Sequence, residues 1–398
     1  MLISNKMQPM LGGNSAIRAM FEEGLNMAKK YGKENVYDFS LGNPNVPAPA
    51  AVNETIKELV DTVDSTYLHG YMPNAGYPET RKAIADSLNR RFGTDFAMNN
   101  IIMTVGAASG LNAVLKTVVD PGSEVIVFKP YFLEYKNYVK NYDGVLTAVP
   151  TIAETSLPDI DAFAAALNAK TKAVIINTPN NPTGVIYGED VIKAIATKLE
   201  EAEQKFGTSI LLIADEPYRE LAYDGFEVPF LTKYYHNAVV CYSYSKSLSL
   251  PGERIGYIAV PNSLENAEDF ISIATICTRV MGSVNAPSLM QKVIEKCVDT
   301  DVTENVAVYD RNRKKLYEIL KKYGFTAVYP QGAFYMWIKT PVEDKAFVDI
   351  CKKHRILVVN GSSFEGPGFV RAAYCVSEET ITRSEESWKA VAEEVGLI

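Results

Sequence analysis

The sequence predicts an α/β protein: a doubly wound, mostly parallel sheet in a large domain, with a smaller α+β domain formed by both chain ends. Short β-branched runs alternate with helix-length segments between residues 100 and 259. Several of those runs are almost wholly apolar, as parallel strands covered on both faces must be. Towards the C-terminus the pattern changes to a basic amphipathic helix and aromatic strands.

Taken in order, the strands are expected at residues 101–105, 124–128, 145–149, 173–177, 210–214, 239–242 and 255–259. Helices are expected between them at 107–118, 162–167 and 189–206. Such alternation implies one open, doubly wound sheet. Beyond it, a helix at 309–323 ends at Gly324, the residue type that most readily takes the left-handed turn closing a helix. Strands at 333–338 and 356–359 follow. A last helix is capped by Ser377, with Glu378 and Glu379 in its first turn, where the helix dipole favours negative charge. The large domain is placed at 45–285, and the small one at 1–44 together with 286–398.

At 398 residues the chain is too long for one small core, and 47% hydrophobic with 22% charged residues is ordinary for a soluble globular protein. A formal net charge of −8 argues against nucleic acid or an anionic membrane as partner. The basic cluster Arg311, Arg313, Lys314 and Lys315 reads as the solvated face of a helix. Five scattered cysteines, Cys241, Cys277, Cys297, Cys351 and Cys375, form no C-x-x-C pair. They give neither a disulfide framework nor a zinc site and suit a reducing compartment. The first residues hold no continuous apolar run and nothing later is long enough to span a bilayer, so a cytoplasmic location is expected.

The chemistry concentrates in Ser243-Tyr244-Ser245-Lys246, just after a strand, where doubly wound sheets build their sites. Serines two apart on an extended chain point the same way and offer two hydroxyls to one anion. Pro251-Gly252 turns the chain back so that Arg254 adds a fixed planar charge. Together these residues describe a phosphate held beside an amine nucleophile. Gly106-Ala107-Ala108-Ser109-Gly110 lacks the G-x-G-x-x-G spacing of a dinucleotide loop. Small residues opening a helix do suit a single phosphate meeting backbone N–H groups. Asp215 follows the apolar strand at 210–214, where a carboxylate serves a metal, a ribose or a plain surface turn. Asn180 to Gly184 reads as a turn.

In these motifs and their order, from about Asp38 to Val376, the chain resembles the class I aminotransferases, fold-type-I enzymes that use pyridoxal 5′-phosphate. The resemblance implies that Lys246 carries the cofactor as a Schiff base and acts as general base. It sets Asp215 against the pyridine nitrogen, whose protonation makes the ring an electron sink. Tyr218, in Asp215-Glu216-Pro217-Tyr218, and Asn181, before Pro182, would meet the ring's phenolic oxygen, with a cis Asn181–Pro182 bond. The phosphate falls to Ala107, Ala108, Ser243, Ser245 and Arg254. Phe132, in Pro130-Tyr131-Phe132, would cover the ring face. Arg371, in Phe369-Val370-Arg371, matches the arginine that grips the substrate α-carboxylate, helped by Asn181 and by the backbone of Gly42 in Leu41-Gly42-Asn43-Pro44. Tyr71 matches a tyrosine that reaches the phosphate of the neighbouring subunit, which implies a homodimer with shared sites.

The activity so implied is transfer of an amino group between an L-amino acid and a 2-oxo acid. One departure bears on the substrate: aspartate-using relatives carry a lysine at the position of Ala108, where it meets the distal carboxylate. A neutral donor is therefore expected over aspartate. A C–S β-lyase on the same fold shares the cofactor motifs and is the alternative; it would release pyruvate and ammonia continuously. A non-catalytic regulatory module that binds the cofactor would need a basic winged-helix segment ahead of Gly42, and the stretch there is too short for one.

Overall fold

Seven apolar runs pair into one sheet: β1 (Ile101–Thr104), β2 (Glu124–Phe128), β3 (Val145–Val149), β4 (Thr171–Asn177), β5 (Leu211–Asp215), β6 (Ala238–Ser243) and β7 (Gly256–Ala259). The computed structural model describes residues 2–11 and 16–398; Met1 and residues 12–15, part of the expected small domain, lie outside them. In space the strand order is β1-β7-β6-β5-β4-β2-β3, parallel throughout except for β7, which runs antiparallel to both neighbours. The apolar runs are continuous because both sheet faces are covered. Ile126, Val174, Ile176, Leu212 and Val240 enter one core, and their neighbours Val125, Ala173, Ile175, Ile213 and Val239 enter another on the opposite face. Burying each such side chain is worth roughly 1.5–3 kcal/mol, so a one-residue slip of register is strongly disfavoured.

Helices α1 (Pro78–Phe92), α2 (Ala107–Val118), α3 (Glu134–Asn141), α4 (Ala267–Val280) and α5 (Ser288–Cys297) pack around this sheet. Ala286, Met290, Val293, Ile294 and Cys297 belong to the same core as Ile84 and Leu88 of α1. Packing therefore carries the large unit past the expected boundary at residue 285, and the chain crosses over only as α6 (Thr303–Lys322) begins. That helix starts six residues before the expected 309, where Asp301 accepts from the Thr303 backbone N–H at 2.9 Å.

The second unit is built on β8 (Tyr335–Lys339) and β9 (Phe369–Ala373), antiparallel, with Trp337 opposite Arg371. The strand expected at 356–359 divides in two: Ile356–Leu357 pairs in parallel with Tyr37–Asp38, and Val359–Asn360 pairs with β9. The chain's beginning is thereby tied to this unit. Ser377 caps Glu378–Arg383 as expected, its hydroxyl accepting from the Thr380 N–H at 3.1 Å. Arg313 is not on a solvated face: it is 0% exposed, paired with Asp224 and Asp310, and stacked over Tyr223 and Tyr329. Among the described residues no helix is long and apolar enough to cross a membrane.

Candidate active site

The C-terminal ends of β1, β4, β5 and β6 open into one cavity of about 280 Å³, closed from the other unit by β8, β9 and the Gly42 turn. It is lined by Gly42, Ala107, Ala108, Phe132, Asn181, Asp215, Tyr218, Ser243, Ser245, Lys246, Arg254 and Arg371. Twelve of the thirteen residues singled out in the sequence thus meet in one place. The exception is Tyr71, which is 95% exposed and lies outside its own chain's cavity. A somewhat larger cavity, about 320 Å³, lies behind Tyr242 and Ser247, but its Arg91 and Glu220 already pair with each other. Charge inventory, not size, identifies the first as the site.

Lys246 sits in a single helical turn, Tyr244–Ser247, that follows β6 directly. The two serines do not lie on extended chain as their spacing suggested. Ser243 ends the strand, Ser245 has entered the helical turn, and their hydroxyls meet at 2.7 Å. Opposite them, Gly106 opens α2 with φ +80, which lets the turn run against Arg254: a Cβ on Gly106 would stand 3.0 Å from Arg254 Nη2. Arg254 is itself held by the Pro251 carbonyl at 2.9 Å. Two hydroxyls, a guanidinium and the first N–H groups of a twelve-residue helix therefore face one volume, the donor set of a phosphate cradle.

The Lys246 amine donates to the Gly42 carbonyl at 2.7 Å and lies 5.2 Å from the Phe334 ring centroid. Burial, helped by the charges of Arg371 and Arg254 and opposed by Cys375, pulls its pKa down to about 8. A lysine tuned this way carries a far larger fraction of neutral, nucleophilic amine near neutral pH than an ordinary lysine does.

Asp215 ends β5, 5% exposed, and its Oδ2 accepts from the Tyr135 hydroxyl at 2.5 Å. Burial pushes its pKa up to about 7, with the Tyr135 hydrogen bond acting against that and Glu216 adding to it. Glu216 is itself clamped by Arg219. On the other wall Arg371 is 1% exposed; it donates to Asn181 Oδ1 at 3.0 Å and to the Ser40 carbonyl at 2.7 Å, and its Nε has no partner. Neither Asp215 nor Arg371 forms an ion pair with a described residue. A buried carboxylate without a cation and a buried guanidinium without an anion are both costly. These deficits match a protonated pyridine nitrogen and a substrate carboxylate, so the residues present fit pyridoxal phosphate.

The Asn181–Pro182 bond is cis, as are Thr178–Pro179 and Lys129–Pro130. Asn177 supports this turn and the neighbouring strand: its amide accepts from the Asn181 N–H at 2.7 Å and donates to the Asp215 carbonyl at 2.9 Å. The lining or supporting residues not singled out in the sequence include Asn177, Tyr135 and Tyr335. Tyr135, in α3, packs edge-on against Phe132, which lies just before that helix, and no motif in the sequence marks it. Tyr335 carries no motif signal beyond membership of an aromatic strand.

Fold and site together define a pyridoxal-phosphate enzyme of the aminotransferase kind. Residues 34–386 match the family described as Aminotransferase class I and II, and the chain belongs to that family. It is 30% identical over 353 residues to a probable aspartate/prephenate aminotransferase of Thermus aquaticus, a match covering 87% of this chain and 89% of that protein. Its structure is similar to that of an aminotransferase from Eubacterium rectale, with a TM-score of 0.96 and 45% identity over 99% of both chains. It is also similar to an aspartate aminotransferase from Thermus thermophilus crystallised with maleate, with a TM-score of 0.88 and 27% identity over 98% of this chain and 99% of that one. The protein is a pyridoxal-phosphate-dependent aminotransferase.

Proposed function

We propose that this aminotransferase takes its amino group from a neutral L-amino acid rather than from aspartate, and that it works as a cytoplasmic homodimer. The single observation behind the donor preference is Ala108. It lines the cavity at the start of α2, at the position where aspartate-using members are expected to place a lysine. The cations that do line the cavity, Lys246, Arg254 and Arg371, are needed for the amine, the phosphate and the α-carboxylate. A second carboxylate would be desolvated there with no partner. Arg279, near the end of α4, is exposed and does not line the cavity.

Each group then has a task. Ser243, Ser245, Arg254 and the N–H groups of Ala107 and Ala108 hold the cofactor phosphate. Asp215 holds the ring nitrogen protonated, Tyr218 and Asn181 meet the ring oxygen, and Phe132 covers the ring face. Bound in this way, pyridoxal phosphate supplies the electron sink that makes the substrate's α-proton removable. Arg371 grips the substrate α-carboxylate through its two parallel N–H donors, with Asn181 and the Gly42 backbone beside it. Lys246 Nζ, released from the Gly42 carbonyl, takes the α-proton as general base and later returns it.

The test is a donor panel. With the loaded enzyme and one 2-oxo acid acceptor, kcat/KM for alanine, methionine, phenylalanine and tyrosine should include values above that for aspartate. Ala108→Lys should raise the aspartate value by about 10- to 100-fold, the worth of one charge-assisted hydrogen bond. Aspartate as the best donor of the unmodified enzyme would refute the proposal.

A further inference from the structure

We infer that Tyr335 is a positioning residue: its hydroxyl donates to the Tyr218 hydroxyl and so turns the Tyr218 proton toward the cofactor's ring oxygen, while its ring carries Arg371. The inference rests on the assignment of Tyr218 to that oxygen under the proposed function.

Tyr335 is buried on β8 in one unit, whereas Tyr218 follows β5 in the other. Their hydroxyl oxygens stand 2.8 Å apart, the rings nearly perpendicular at 80°. The Arg371 guanidinium carbon lies 4.4 Å from the Tyr335 ring centroid, within cation–π range. The same hydroxyl is wedged against the Gly42 turn, where a Cβ would come within 2.1 Å of it; only glycine leaves room. Gly42 in turn receives the Lys246 amine. One side chain therefore touches the tyrosine, the arginine and the turn that together surround Lys246.

The direction of the shared hydrogen bond follows from counting protons. The contact between two phenols uses one proton and leaves the other free. If Tyr218 gave its proton to Tyr335, it would face the ring oxygen with lone pairs alone. If Tyr335 gives its proton to Tyr218, the Tyr218 proton is left for the ring oxygen and both acceptors are satisfied. Both phenols stay protonated at working pH, since burial pushes Tyr335 up to about 12 and Tyr218 well above the ordinary phenol range. The other titratable groups facing this pair are Arg371, Cys375, Asp215 and Tyr135, and burial holds the Cys375 thiol at about 12.

The readout is the pH titration of the bound cofactor's visible absorbance in the loaded enzyme. Tyr218→Phe should move the midpoint upward, because a ring oxygen without its donor holds the neighbouring proton more tightly. Tyr335→Phe should move it the same way by about 0.5 to 1 in pH, the worth of one neutral hydrogen bond. Added to Tyr218→Phe, it should move it no further. Tyr335→Leu removes the platform under Arg371 and should raise the KM for a neutral amino acid by about 3- to 30-fold. No midpoint change in Tyr335→Phe, where Tyr218→Phe shows one, overturns the inference and leaves the Tyr218 assignment standing. No change in Tyr218→Phe removes that assignment and the inference with it. A Tyr335→Phe shift that persists in the double variant shows that Tyr335 acts by a route of its own, which also overturns the relay.

Discussion

Asp215 is held with one hydrogen-bond donor, Tyr135, and no cation, and burial lifts its carboxyl to about 7. In an unfolded chain the same group titrates near 4. The folded protein therefore bears no cost from it at pH 4, a growing cost as pH rises between 4 and 7, and the full cost above. With each pH unit of displacement worth about 1.4 kcal/mol, that cost is on the order of 4 kcal/mol in the cofactor-free protein. Asp215→Asn keeps the shape and removes the charge. It should stabilise the cofactor-free protein at pH 8 and lose that advantage as pH falls toward 4, as read by urea unfolding at several pH values. In the loaded enzyme the same change removes the partner of the ring nitrogen and should cost several decades in single-turnover rate. An Asn variant less stable than the parent at pH 8, or turning over within tenfold of it, would show that the charge partner lies elsewhere. Chemistry of this kind was legible from residue type just past a strand end for Lys246 and its serines, whereas the roles of Asp215 and of Arg371, which lies mid-strand in β9, came only with the resemblance to the class I aminotransferases. Tyr135 and Tyr335 were legible in neither way, because their importance lies in which atom they touch across the fold, and no local pattern records that.

Strands of the large sheet were legible almost to the residue, since for all but the edge strand β3 burial on both faces leaves no polar alternation to blur their ends. Strand direction was not: an apolar run looks alike whether its neighbour is parallel, and only β7 runs backward. Arg313 was misplaced for a similar reason, because sequence shows a charge but not the Asp224 and Asp310 that let it be buried. The reversal of β7 brings Gly256 opposite Ser243 and against the Gly106 turn. A Cβ there would lie 2.2 Å from the Tyr242 carbonyl and 3.0 Å from Gly106 Cα, both backbone atoms that cannot swing away. Gly252, four residues earlier on the other side of Arg254, has nothing within 4 Å. Gly256→Ala should therefore cost about 1–3 kcal/mol in denaturant unfolding by overpacking. It should also weaken retention of the cofactor phosphate, because the strand and the turn it separates carry the cradle. Gly252→Ala should stay within about 0.5 kcal/mol of the parent. Equal effects of the two changes would mean that the close approach of β7 to the Gly106 turn does not shape the site.

For the molecule as a whole, the open question is whether one chain completes its own site. Tyr71, the one motif residue outside the cavity, is 95% exposed, and α4 shows Ile273, Ile276 and Val280 to solvent along one stripe at 45%, 38% and 61%. Exposed apolar side chains at i, i+3 and i+7 suit burial against another chain, and a two-fold pair would let each Tyr71 serve its partner's phosphate. Mixing two defective enzymes tests this arrangement. Lys246→Ala lacks the amine, and Tyr71→Ala should weaken phosphate anchoring by about 1 to 3 kcal/mol, so at limiting cofactor each parent alone should be poor. If Tyr71 acts across the interface, a hybrid places both defects in one site and leaves the other intact. Random exchange makes about half the dimers hybrid, each with one good site of two, so about a quarter of the unmodified activity should return. Native mass spectrometry establishes that exchange has occurred. Exchange without any regained activity would place Tyr71 in its own chain's site or in none.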